Sequence, residues 1–347
     1  MAELDHWHPV LLAKDLGSKP KVVTLLGQDL VLYRPIAPDG TRGVRSRGAR
    51  SACPQPIAAL SNTCPHRRMQ LADGHVEGEC LVCPYHGFRF APDGTGHSPG
   101  TPQMRLAAPA FDVQVAHEAI WVRRAGSTAD FPELGRGHYT FVGTLARKVE
   151  CALEPLVDNF CEVEHTPTTH ALFGYAPGSM DRVRTATHAV PRGLRVVNEG
   201  PQKKLPGLVE RLFGVATGDR FIDDWTVRYS PVHIAYDQWW IDAKTGEPRP
   251  DRIYVAVFFT PIDQDETQLF AMVWSSRQRW GRFGLDALLR PMLLELVWRE
   301  MELDRKMVER LADQRGDLRG TRLGRFDAAL REYRKGVAAI YRGREPD

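Results

Sequence analysis

Short apolar runs at 22–26, 30–34, 57–60, 80–82, 88–91, 111–115 and 120–123 alternate with glycine and proline over the first third of the chain. Runs this short, bounded by turn residues, predict a small all-β domain. The polar stretch Arg123-Arg124-Ala125-Gly126-Ser127 then interrupts the pattern and marks a boundary, giving domains 1–128 and 129–347. In the second domain, 149–165 is dense in Glu and Leu and predicts a helix that Pro167 stops. Segments 224–241, 252–261 and 268–275 are rich in Val, Ile, Phe, Tyr and Trp and long enough for a large antiparallel sheet. At 285–312 apolar residues return at helical spacing, and 325–341 predicts a second, more basic helix. The expectation is an α+β protein: a small all-β domain, then a helix-grip-like domain in which a large antiparallel sheet holds a long C-terminal helix.

Length and charge narrow the function classes. A chain of 347 residues suits two domains, each able to bury its own core. Its net charge of +3 gives no support to a nucleic-acid or membrane-surface partner. The loop at 38–56, with Arg42, Arg45, Arg47 and Arg50, reads as a solvated connection. No run approaches the ~20 apolar residues of a membrane span, and nothing before Trp7 resembles a signal peptide, so a cytoplasmic setting is expected. Six cysteines are too sparse for a disulfide scaffold. Cys53, Cys80, Cys151 and Cys161 read as incidental thiols.

Two of the six stand in a different context. Cys64-Pro65-His66 and Cys83-Pro84-Tyr85-His86 supply two thiolates and two imidazoles in matched pairs. Such a set suits a [2Fe-2S] cluster in which one iron takes sulfur and the other nitrogen. Neutral imidazole in place of thiolate raises the cluster's potential, so that it accepts electrons readily from a ferredoxin or flavin donor.

A second constellation lies in 149–170. On one continuous helix Asp158, Glu162 and His165 share a face. Pro167 would break that helix and let His170 turn back toward His165. Two imidazoles and a distant carboxylate form the facial triad that holds Fe(II) with open positions. Of Glu300, Glu302 and Asp304, the last shares the apolar stripe of Met301, Met307 and Val308 and is expected to point inward. A buried carboxylate needs a partner, and a metal ion would supply one.

These residues resemble the Rieske non-haem iron oxygenases, specifically their α-subunits, over nearly the whole chain. Trp7-His8-Pro9-Val10, Cys64-Pro65-His66-Arg67 and Cys83-Pro84-Tyr85-His86-Gly87-Phe88 match the Rieske domain. Asp158-Asn159-Phe160 through His165 and His170 match the iron-binding segment. The resemblance implies that Cys64 and Cys83 bind one cluster iron, His66 and His86 the other, and that His165, His170 and Asp304 hold a mononuclear Fe(II). It implies O2 as co-substrate and an electron path from His86 of one subunit through Glu162 to His165 of the next, hence a homotrimer. Asp158 or Asn159 would stand close to the iron. A separate reductase or ferredoxin is implied, because the chain lacks a flavin or nicotinamide fingerprint. The length fits the α-only monooxygenase and demethylase branch, acting on a small, mainly apolar or aromatic molecule. Trp239, Trp240, Phe258, Phe259 and Trp274 are candidates for the pocket wall.

Three other readings stand beside this one. A cis-dihydroxylating ring dioxygenase would use the same two centres. A zinc module could use Cys64, Cys80, Cys83 and a histidine. A ligand-binding protein without catalysis would keep the cavity alone.

Overall fold

The computed structural model describes residues 3–36, 56–135, 137, 139–276, 286–314 and 317–344. Apart from Pro56, the basic loop expected at 38–56 lies outside the described residues, as does the start of the helix expected at 285. The chain divides into two compact units between Asp130 and Phe131, just past the boundary expected at 128.

The first unit is all-β. His8–Leu12 (β1), Lys21–Leu25 (β2), Gln28–Tyr33 (β3) and Ala58–Ser61 (β4) precede five short strands: His75–Glu77 (β5), Cys80–Val82 (β6), Arg89–Phe90 (β7), Thr95–His97 (β8) and Leu106–Ala107 (β9). Ala110–Ala116 (β10) and Ala119–Arg124 (β11) close the unit. One sheet has the order β1-β11-β10-β4-β3-β2, and β5 to β9 form a second in sequence order. Leu26 and Gly27, at φ 53° and 73°, give the β2–β3 hairpin its two left-handed turn residues. Apolar side chains from β3, β4, β6 and β7 bury Cys64 and Cys83 in one cluster with Leu71, Leu81, Phe88 and Phe90.

In the second unit a strand at Thr140–Val149 (β12) leads into a helix at Leu153–Phe160 (α1) and a single turn at Thr166–Thr169 (α2). Arg184–Val190 (β13), Gly193–Pro201 (β14), Gly207–Phe213 (α3), Arg220–Tyr229 (β15), Val232–Ile241 (β16), Ile253–Pro261 (β17) and Thr267–Ser275 (β18) follow. Asp286–Val308 (α4) and Ala328–Gly336 (α5) complete the unit. The seven strands form one antiparallel sheet in the order β12-β18-β17-β16-β15-β14-β13. Alternate residues of its inner face, including Trp225, Val255, Val257, Phe259, Ala271 and Val273, pack with Leu156 and Phe160 of α1 and Leu293, Val297 and Met301 of α4. The long C-terminal helix gripped by a large sheet is therefore present.

The elements differ from expectation in four places. The helix expected at 149–165 is shorter, because Val149 pairs with Thr267 as the end of β12 and α1 stops at Phe160. Pro167 does not break a helix. It sits in the first turn of α2, where a missing N–H costs nothing. The strand expected at 224–241 is a hairpin, β15 and β16, turning at Ser230-Pro231. The basic helix expected at 325–341 is α5 between a tight turn at Arg325–Asp327 and a π-helical turn at Val337–Tyr341.

Candidate metal centres and the adjoining cavity

The two cysteine loops of the first unit are built alike. Cys64 N–H donates to the Met69 carbonyl at 2.8 Å while its own carbonyl accepts from Arg68 N–H at 2.9 Å. Cys83 N–H donates to the Phe88 carbonyl at 2.8 Å and its carbonyl accepts from Gly87 N–H at 3.1 Å. Arg68 and Gly87 both take a left-handed φ, 58° and 69°, which turns each loop back on itself. The result brings the His66 and His86 rings to 4.7 Å between centroids. His66 stacks on Phe88 at 4.5 Å, and its buried Nδ1 has no hydrogen-bond partner. Burial raises the Cys64 thiol, and neighbouring Cys83 raises it further.

An orphaned imidazole nitrogen and two adjoining buried thiols are what a metal group would satisfy. A single tetrahedral zinc would draw four ligand atoms to about 4 Å of one another. Among the described residues the one group of three or more whose candidate ligand atoms all lie within 4.8 Å of one another is His165, His170 and Asp304. Two thiolates and two imidazoles on two matched loops suit a two-iron cluster in which one iron takes sulfur and the other nitrogen.

In the second unit three atoms converge: His165 Nε2 and His170 Nε2 lie 3.0 Å apart, and Asp304 Oδ1 lies 3.4 and 3.1 Å from them. Edges near 3 Å are those of ligands held at about 2.1 Å and at right angles, one face of an octahedron. The tautomers are set from behind. His165 Nδ1 is hydrogen-bonded to Glu162 Oε1, and His170 Nδ1 donates to Glu300 Oε2 at 2.8 Å. With Nδ1 protonated, each Nε2 presents a lone pair to the shared point. Burial pushes His165 down, but its bonds to Asp304 and Glu162 outweigh that and leave it at about 9. His170, likewise lowered by burial and raised more by Asp304 and Glu300, reaches about 10. Burial raises Asp304, yet His170 and His165 hold it well below the usual carboxylate range. All three trends report the same preference for positive charge at this point, which a divalent cation supplies without setting two N–H groups head to head. The residues fit a mononuclear iron.

The neighbouring residues sort by face. Asn159 Nδ2 donates to Asp304 Oδ1 at 3.0 Å, so Asn159 is the one at the triad. Asp158, the other candidate, accepts from the Tyr333 hydroxyl and from Arg334 Nε at 3.1 Å and ties α1 to α5. Asp158, Glu162 and His165 therefore do not form one helical stripe, since Glu162 and His165 lie beyond the end of α1. Asp304 points inward as expected, with Met301 and Val308, whereas Met307 is 49 % exposed.

Two further residues escape a reading of the sequence. Glu300, four positions before Asp304 and so on the same face of α4, is only 5 % exposed. It takes His170 Nδ1 and accepts from the amides of Ala171, Leu172 and Phe173 at 3.2–3.3 Å. The i, i+4 acid pair was its one signal. Lys203 Nζ donates to the carbonyls of Thr166 and His170, both at 2.7 Å, clamping the turn that carries the second imidazole. Nothing in the sequence near Lys203 announces that role.

A cavity of about 110 Å³ opens beside the triad between α4 and the sheet. Phe221, Asp223, Tyr236, Gln238, Val255 and Val257 supply its sheet wall. None of the five aromatic residues expected there lines it. Trp240 and Phe259 share the inner face but sit in the packed core, and Trp239, Phe258 and Trp274 alternate to the other face. A second, outer depression of about 600 Å³ is lined by Asn159, Glu162, His165, Met307 and Leu311.

Paired Cys/His loops on a small β unit, and a carboxylate-oriented two-histidine triad under a sheet, define a two-centre iron protein of the Rieske type. Residues 6–112 match the model of the Rieske [2Fe-2S] domain, and residues 149–342 match that of the vanillate O-demethylase oxygenase C-terminal domain. The chain is similar to the oxygenase component of dicamba O-demethylase from Stenotrophomonas maltophilia, 32 % identical over 47 % of this chain and 46 % of that one. It is also similar to the oxygenase component of chloroacetanilide N-alkylformylase from Rhizorhabdus wittichii, 26 % identical over 47 % of this chain and 45 % of that one. The chain spans under half the length of these curated relatives. A crystal structure of dicamba monooxygenase bound to 3,6-dichlorosalicylic acid superposes with a TM-score of 0.72, covering 96 % of both chains at 22 % identity. The chain belongs to the Rieske non-haem iron oxygenase family, in the group that carries the vanillate O-demethylase oxygenase C-terminal domain.

Proposed function

We propose that this protein is the oxygenase component of a multi-part enzyme that uses O2 to hydroxylate or oxidatively dealkylate a small, mainly apolar or aromatic molecule. The observation that carries this reading is the convergence of His165 Nε2, His170 Nε2 and Asp304 Oδ1 beside a cavity whose walls are largely apolar. Bound there, Fe(II) would supply open positions for O2 chemistry next to a substrate C–H bond. The chain's own groups do the positioning. Glu162 and Glu300 hold each imidazole proton on Nδ1, Asn159 donates to Asp304 and limits its swing, and Val255 and Val257 give the cavity an apolar wall.

A [2Fe-2S] cluster on Cys64, Cys83, His66 and His86 would store one electron at a time, received from a separate reductase or ferredoxin. His86 is exposed at its loop tip, so it suits electron exit. Glu162, bonded to His165 and lining the outer depression, suits electron entry from a second copy. This pairing supports a homotrimer in which each cluster serves the next subunit's iron. Apart from the two cluster candidates, the described cysteines Cys80, Cys151 and Cys161 are unpaired thiols, which suits a reducing, cytoplasmic setting. No described helix is long and apolar enough to cross a membrane.

The reading is tested by supplying the iron-loaded protein with a reductase, O2 and a panel of methoxy- and N-methyl-arenes. O2-dependent release of formaldehyde or of a hydroxylated ring supports it. A cis-diol product would move the assignment to the dihydroxylating branch, and a protein that takes up the panel without consuming O2 would be a binding protein.

A further inference from the structure

Of the acids lining the cavity, Asp304 is a ligand and Glu162 and Glu300 orient ligands, which leaves Asp223 with no part in the metal site. Asp223 on β15 stands directly across from Gln238 on β16, and both face the cavity. Gln238 Nε2 donates to Asp223 Oδ1 at 2.8 Å, the one hydrogen bond of this carboxyl group among the described residues. The residue is 5 % exposed. Its sequence neighbour Asp224 turns to the opposite face, where Arg195 grips it through Nε at 2.7 Å and Nη2 at 2.5 Å. That guanidinium is therefore spent on the other side of the sheet. Two tyrosines share the lining: Tyr236 donates to the Phe160 carbonyl at 2.5 Å, whereas the buried Tyr175 hydroxyl has no hydrogen-bond partner among the described residues and makes no bond to Asp223. Burial raises the Asp223 carboxyl to about 6, with the Gln238 bond opposing and Asp224 adding to the rise. A carboxyl group kept in an apolar cavity with a single neutral partner has room for one more donor. The cavity is of the order that a single ring fills.

We propose that Asp223, oriented by Gln238, selects substrates that present a hydrogen-bond donor or an ammonium group on a small ring, and rejects substrates that carry a carboxylate. This deepens the oxygenase reading and rests on it for the chemistry that follows binding. Discrimination comes from both directions. A phenol O–H or an amine N–H completes the hydrogen bonding of the carboxyl group, whereas an arene carboxylate would set two acids together in a site that water does not screen. Specificity of this kind needs the repulsive term as well as the attractive one.

The test uses four probes of nearly one size, 3-methoxyphenol, 3-methoxybenzylamine, 3-methoxybenzoate and anisole, with binding to the iron-loaded protein measured by calorimetry under anaerobic conditions. The wild type is expected to bind the phenol and the amine at least ~10-fold more tightly than the benzoate. Asp223→Asn is expected to lose at least ~10-fold toward the amine and gain at least ~10-fold toward the benzoate, with anisole as the size control. Gln238→Glu adds a second acid at the same place and should weaken the benzoate further, which keeps the proposal testable if Asp223→Asn fails to fold. Equal ratios in wild type and Asp223→Asn, tightest binding of the benzoate by the wild type, or no binding of any of the four probes would overturn it. Binding with the stated preference but no O2-dependent product would defeat the oxygenase reading alone. Product formation without the preference would defeat this inference alone.

Discussion

Glu300 accepts the Nδ1 proton of His170 at 2.8 Å while its two oxygens also take three backbone amides of the segment that follows. One side chain on α4 thereby fixes the tautomer of an iron ligand and the path of the chain behind it. Asp304, one helical turn later, provides the third ligand atom, so a single helix face supplies both the ligand and the orienter of another ligand.

Glu300→Gln keeps the shape but presents a weaker acceptor to His170. Iron affinity at the mononuclear site should fall by roughly 10–100-fold, with the cluster's visible absorption unchanged. Titration of the metal-free second site with Fe(II) reads this directly. An unaltered affinity would remove Glu300 from the site's function.

Glu162 touches the same centre from the other side. Glu162→Gln also presents a weaker acceptor to His165 Nδ1, so it is compared at saturating Fe(II); with both metal centres filled it should still slow product formation at least ~10-fold. Turnover equal to wild type would show that electrons do not cross at this residue.

Asp158→Ala separates the two candidates on α1. The variant should lower unfolding stability by about 3 kcal/mol, because Arg334 and Tyr333 lose a half-buried partner. Iron stoichiometry should be unchanged. Loss of iron with stability intact would return Asp158 to the metal site.

The sheet carries its own pH signature. Burial holds His233 down to about 4, neutral, with Nδ1 donating to the Pro231 carbonyl at 2.8 Å and its ring stacked on Phe258 at 4.4 Å. The unfolded chain binds this proton at its ordinary value near 6.5, so between about 4 and 6.5 the unfolded state holds more protons and stability rises with pH. The contribution is complete above about 6.5 and is lost as pH falls toward 4, about 3 kcal/mol in all. Urea unfolding across this window should show the slope in wild type and a flatter one in His233→Gln.

Chemistry written in short loops was the part most open to reading from the sequence. The four residues of Cys64-His66 and Cys83-His86 meet because each loop is closed by its own backbone bonds, so spacing along the chain already implies the geometry. His165, His170 and Asp304 were legible for a different reason. Their residue types are costly to bury without a metal, and Asp304 lies on an apolar helical stripe. The extent of α1 was not legible, because the Glu-rich segment after Phe160 has helical propensity that local bonds override, the Glu162 carboxylate accepting from the backbone N–H groups of Glu164 and His165. The pocket wall was misread for a reason of phase. In a strand buried on both faces, such as Ile253–Pro261, the run from Ile253 to Phe259 carries no polar alternation, and the period of two that separates Val255 and Val257 from Phe258 leaves no mark on the sequence. Glu300 acts through a contact 130 residues away in sequence and Lys203 through contacts 37 and 33 residues away, and no local pattern reports such contacts.

The central claim is that one chain holds two separate iron centres, and counting metal and sulfide tests it most directly. Wild-type protein prepared anaerobically should contain about three irons and about two acid-labile sulfides per chain, and Asp304→Ala about two irons with the sulfide unchanged. About one zinc with no acid-labile sulfide in the wild type, or an iron content that Asp304→Ala leaves untouched, would contradict it.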